Sequence, residues 1–201
     1  MSPRAASRLL GGALALTALI AACGSAAPKS EAAPAGAASS QGQDALAAWD
    51  VIYGVLQHPR CMNCHPAGDA PLQGDASLPH AQNVQRGADG QGLYALRCDT
   101  CHAEQTVSGP HLPPGVKGWH LPPASEKLVF ENRSSGALCR QLKDPAQNGH
   151  LTPQQLYEHM DTEPLVLWGW NPGPGRTPVS TPHEELMRAM RTWIDGGCSC
   201  P

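Results

Sequence analysis

Cys61-Met62-Asn63-Cys64-His65 recurs further along the chain as Cys98-Asp99-Thr100-Cys101-His102. The pattern C-x-x-C-H is the attachment signature of c-type haem, and each position in it has a chemical task. Two thiols one short turn apart can add across the two vinyl groups of a porphyrin and form thioethers. The histidine that follows then lies under the ring, where its imidazole can bind iron as the proximal axial ligand. The expectation is two covalently bound haem c groups. Cys61, Cys64, Cys98 and Cys101 are the thioether positions, and His65 and His102 the proximal ligands. The same four cysteines could instead form a structural Cys₄ zinc site, but that leaves both motif histidines without a task.

Each iron has one further axial position. An electron carrier fills it with His or Met, whereas a catalytic haem leaves it open. The candidate histidines are 58, 80, 111, 120, 150, 159 and 183, and the candidate methionines 160, 187 and 190. His80 lies between the two motifs, on a loop long enough to fold back over either haem. His159 sits beside Leu156 and Met160 on a capped helix, an odd place for a solvated imidazole. These two are the leading candidates for distal ligands, followed by Met160 and His183, with His120 an outsider. Two histidines lower a haem potential and methionine raises it. At least one bis-histidine haem is expected.

The 201 residues suit one domain or two small ones. Aromatics make up only 4%, while 21 Gly and 20 Pro predict extensive loop. Two buried porphyrins would supply the apolar bulk that such a chain lacks. Arg4 and Arg8 precede a short apolar run from Leu9 to Ala22, which reads as a signal peptide over residues 1–22. Ile20-Ala21-Ala22-Cys23 resembles a bacterial lipobox, with Cys23 as the lipidated residue. Gly24 at the next position points to a periplasmic protein held at the outer membrane by its lipid anchor. Without the leader, twelve basic and seventeen acidic residues leave −5, and no basic patch suggests nucleic acid. Cys139, Cys198 and Cys200 remain, in a compartment where disulfides survive. Cys139 paired with one of the terminal two is expected, Cys200 being preferred, with all three reduced as the alternative.

The elements that must position these groups are mainly helices separated by irregular loops. Residues 23–42 read as a flexible Ala/Pro/Ser tether and residues 43–201 as the folded domain, starting at Asp44. Leu46, Trp49, Ile52, Tyr53 and Leu56 recur at helical spacing ahead of Pro59 and the first motif. A short helix over Leu93–Arg97 is expected to lead into the second. Only 36 residues separate His65 from His102, so a single domain with two neighbouring haems is expected rather than two tandem domains. The proline-rich HLPPGVKGWHLPP should wrap a haem edge. Leu138–Lys143 predicts a brief helix, Thr152-Pro153-Gln154-Gln155 a capping box, and Thr181-Pro182-His183-Glu184 a second one. The helix after it places Leu186, Met187, Met190, Trp193 and Ile194 on one face and stops at Gly196-Gly197. Trp168-Gly169-Trp170 belongs to a rigid aromatic loop, a candidate docking edge.

Several stretches resemble one family. These are CMNCHPAGDAPLQGD, His80, VQRGADGQG, CDTCH, PPGVKGWHLPP, LCRQLKDPAQNG, LVLWGWNPGPGR and a terminal Cys-Pro, and the resemblance covers roughly residues 50–201. They are similar to small exported dihaem proteins labelled as subunits of isoquinoline 1-oxidoreductase. The resemblance implies a cytochrome c-like dihaem domain and a redox partner, a periplasmic molybdenum hydroxylase of the xanthine dehydrogenase class. Such an enzyme oxidises an N-heteroaromatic or an aldehyde with water and must pass on two electrons. Two neighbouring haems could receive them one at a time and hand them to the respiratory chain. The protein is therefore expected to be a carrier rather than an enzyme. The alternative is a dihaem peroxidase-like enzyme with one open haem site.

Overall fold

The computed structural model describes residues 35–109 and 112–201, with side chains from residue 40 onward, and they fall in one compact unit. The leader (1–22), Cys23, tether residues 23–34 and His111 lie outside the described residues. Among the described residues there are six α-helices: α1 (Ala35–Leu56), α2 (Pro59–Met62), α3 (Ser135–Lys143), α4 (Pro153–Thr162), α5 (Pro164–Leu167) and α6 (His183–Asp195). Two small antiparallel hairpins, β1 (Leu72–Gln73) with β2 (Leu78–Pro79) and β3 (Gly92–Leu93) with β4 (Leu96–Arg97), complete the regular structure. Everything else is loop or 3₁₀ turn, as the Gly and Pro content requires.

The core is a helix pair. α1 buries Ala45, Trp49, Ile52, Val55 and Leu56 against Leu186, Met190 and Trp193 of α6. The rings of Trp49 and Trp193 are both fully buried and lie 5.3 Å apart, tilted by 42°. Losing either to alanine would cost about 3–5 kcal/mol. Both indoles also find acceptors: Trp49 donates to Ser135 Oγ at 2.9 Å and Trp193 to the Ser199 carbonyl at 3.0 Å. Gly196 closes the pair. A Cβ there would sit 2.5 Å from Ala45 Cβ, so only glycine lets the end of α6 meet α1.

Three expectations are corrected. The first helix starts at Ala35, not Asp44, so residues 35–42 are helical rather than tether. Alanine-rich sequence propagates a helix well once packing holds its far end. The stretch before the second motif is the β3–β4 hairpin instead of a helix. Gly92 at φ +90° and Tyr94 at φ +49° cannot be helical, and a Cβ on Gly92 would meet Leu96 O at 2.4 Å. At the start of α6 the cap residue is Pro182, with no side-chain cap, so the second capping box does not form. Glu184 and Glu185 in the first turn complement the helix dipole instead. The box at Thr152 and Gln155 is present in full.

Cys139 on α3 is bonded to Cys200 across 61 residues, with Cα atoms 5.6 Å apart. Cys198 remains a buried free thiol. Among the described residues, no helix is long and apolar enough to cross a membrane.

Candidate functional site

The two motifs occupy different local structures that converge on one geometry. His58 caps α2, its Nδ1 accepting from Arg60 N at 3.2 Å, and Pro59 takes the first helical position. The turn that follows presents Cys61, Cys64 and His65. In the second motif a 3₁₀ turn over Cys98–Thr100 follows the β3–β4 hairpin. Cys101 N and His102 N both donate to the Cys98 carbonyl, at 3.2 and 2.8 Å. In each case one tight turn separates the two thiols and aims the next side chain away from the backbone.

Both motif histidines are held alike. His65 Nδ1 donates to the Leu128 carbonyl at 2.8 Å, and His102 Nδ1 donates to the Pro114 carbonyl at 2.7 Å. A proton fixed on Nδ1 leaves the lone pair on Nε2, the tautomer that a metal ligand needs. The rings are clamped flat. His65 stacks on Phe130 with centroids 3.9 Å apart, and His102 stacks on Trp119 at 4.2 Å and 5°. Burial pushes the His65 pKa down to about 4 and also lowers that of His102, so both imidazoles are neutral at pH 7. Burial likewise pushes the Cys61 thiol up to about 12 and the Cys64 thiol up to about 11.

A cavity of about 970 Å³ opens beside the second motif, lined by Cys64, Cys98, Cys101 and His102 among others. His80, carried just past β2, lines it too. Its ring centre lies 6.4 Å from that of His102, inclined by 67°. Metal–imidazole bonds are about 2 Å long, so two rings on opposite sides of one metal have centres roughly 6 Å apart. The donor set and its spacing therefore fit an iron porphyrin at Cys98, Cys101 and His102 with His80 opposite. The cavity volume also lies in the range of cofactor pockets.

The first motif has a looser surround. His159 stands on α4 with an open face; desolvation lowers its pKa, and Glu163 one turn on raises it. The charges of His159 and His120 both depress the His65 pKa, after the larger effect of burial. His183 is otherwise engaged, accepting edge contact from Trp170 at 4.7 Å and bonding the Met160 carbonyl through Nε2 at 2.9 Å. Met187 and Met190 are core residues, His58 is a cap, and His150 pairs with Glu126 at 3.5 Å.

Among the described residues, no three His, Cys, Asp or Glu side chains converge on a metal position, so the four motif cysteines do not form a tetrahedral zinc site. Sequence reasoning missed Trp119 as the clamp on His102 and missed buried Arg86. Arg86 is 1% exposed and ties two loops by donating to the carbonyls of Pro122 and Gly68. Both lie in stretches that carry the family resemblance, PPGVKGWHLPP and VQRGADGQG, but nothing in their local spacing marks these particular side chains. Comparison with protein-family models, curated proteins and solved structures finds no match for the chain.

Proposed function

We propose that this protein is an exported dihaem c-type cytochrome that carries electrons and performs no chemistry of its own on a substrate. Two haem c groups would be held through Cys61/Cys64 and Cys98/Cys101, with His65 and His102 as proximal ligands. The observation that carries the reading is the pair His80–His102, ring centres 6.4 Å apart at the cavity beside the second motif. Haem with two axial ligands supplies one-electron exchange with little change of geometry. The chain's own part is to fix tautomers through Leu128 and Pro114, hold the rings flat against Phe130 and Trp119, and exclude water. The physiological donor is proposed to be a periplasmic molybdenum hydroxylase of the isoquinoline 1-oxidoreductase or xanthine dehydrogenase class. The acceptor would be the respiratory chain, with the protein tethered to the outer membrane through lipidated Cys23.

One observation favours a second reading. The ring stacked on His65 is Phe130, and His159 acts on it only through its charge. A five-coordinate haem at the first motif would make the protein a peroxidase-like enzyme. The test is an optical spectrum of protein matured in an exporting host, with haem counted per chain. Two low-spin haems in both oxidation states support the carrier; one high-spin haem that reacts with peroxide supports the enzyme. A colourless protein would end both readings.

A further inference from the structure

Arg60 stands one residue before Cys61 and, with Pro59, Asn63 and Cys64, lines the same cavity that the second motif borders. Its side chain is 3% exposed, and its guanidinium pairs with Asp75 and lies over the Trp168 ring, 5.7 Å from its centre. Among the described residues its Nε has no hydrogen-bond partner. Trp168 lines the same cavity, and its Nε1 is also buried without a partner among the described residues. This is not the habit of the molecule, since Trp49, Trp170 and Trp193 all donate to oxygen atoms at 2.7–3.0 Å. A buried donor without an acceptor is unfavourable, and two in one wall ask for a ligand that accepts.

The charges of this wall point the same way. Arg176 lines it as well, and among the described residues its guanidinium donates to the carbonyls of Leu112, Pro172 and Pro174. Arg60 and Arg176 repel each other, and Asp75 is the carboxylate that both of them feel. Asp75 is itself shared with Thr177, whose Oγ1 donates to it at 2.7 Å. Two guanidinium groups against one carboxylate leave a surplus positive charge beside two idle donors. An anion with planar, bidentate geometry suits a guanidinium best.

We propose that Arg60, Trp168 and Arg176 form the seat for a carboxylate carried by the porphyrin at Cys98 and Cys101. This rests on the dihaem reading and adds to it which wall takes the propionate edge. The seat then links the two motifs. The residue that neutralises one haem's carboxylate is the backbone neighbour of the other haem's first thioether. Cationic charge and hydrogen bonding at a propionate favour the reduced, electron-richer haem, so the seat raises that haem's potential.

The test uses full-length, haem-loaded protein. The haem facing His80 is assigned as the one that turns high-spin in His80→Ala. In Arg60→Gln and in Trp168→Phe, two low-spin haems should remain attached, while the potential of that haem falls and its propionate bands shift in the resonance Raman spectrum. The other haem should be unmoved. Arg60→Lys should recover much of the potential but not the bands. Arg176→Gln gives an independent reading should Arg60→Gln fail to fold. Unchanged potentials and bands in Trp168→Phe and Arg176→Gln overturn the proposal. So does a wild-type potential that tracks added acetate, which would make the seat one for free anions. Wild-type protein without haem would overturn the dihaem reading itself, before any variant is made.

Discussion

His80 and His159 show how differently two imidazoles can be held. His80 is fixed by a two-stranded hairpin, its N–H donating to the Pro71 carbonyl at 3.0 Å, and it lines a cavity opposite a stacked partner. His159 has only its helix to orient it. Replacing His80 with alanine is therefore expected to turn one haem high-spin in the oxidised protein while the haem count stays at two, as read by optical and electron paramagnetic resonance spectra. His65 yields a prediction in pH. Its folded pKa is lowered to about 4, so the imidazole is neutral and able to bind metal above that value. Protons compete for it only at about pH 4 or below, because a bound metal holds Nε2 further against protonation, and not near its unperturbed value. An acid titration of the low-spin spectrum that breaks at pH 6.5 would contradict this.

At the scale of elements, caps and turns can be weighed separately. Thr152→Ala removes the reciprocal box that starts α4 and should cost about 1 kcal/mol in denaturant unfolding, with no spectral change. Gly92→Val is expected to be far more damaging, because both its φ of +90° and its 2.4 Å approach to Leu96 O exclude a Cβ. Since that hairpin delivers Cys98, on the dihaem reading the variant should lose the second haem in preference to the first, measured as haem per chain. The same hairpin shows where sequence reading ran out. Leu93, Leu96 and Arg97 have side chains that suit a helix, and the positive φ of Tyr94 comes from tertiary context that no propensity encodes. By contrast, α1 from Trp49 to Leu56, the box of α4 and the apolar face of α6 were all legible. Their signals are periodic and local. The site divides in the same way. The C-x-x-C-H turns could be read directly, whereas Trp119 and Arg60 meet the site only through long-range folding.

For the whole molecule, the thin core is the decisive property. The main hydrophobic cluster is the α1–α6 seam with α3 and α4 against it, while the second motif lies among loops beside a cavity. If the dihaem reading holds, the chain without haem should therefore keep the seam and lose order around the cavity. Hydrogen exchange should show protection retained in α1 and α6 and lost over residues 92–121. The disulfide supports the seam from outside. Cys200→Ser releases a loop of 61 residues and is expected to lower stability by about 4 kcal/mol on chain-entropy grounds. Equal unfolding midpoints for variant and parent would show that the bond contributes little.

That bond also governs what a protease can do. Residues 140–199, which include α4, α5, Trp168, Arg176 and α6, all lie inside the ring it closes. A single cut anywhere in that span, for example on the exposed face of α4, opens the ring but separates nothing. The nicked protein would migrate as one piece until its disulfide is reduced. The cut loop would then be two arms, one leaving Cys139 and one ending at Cys200, held to each other by the bond at their far ends.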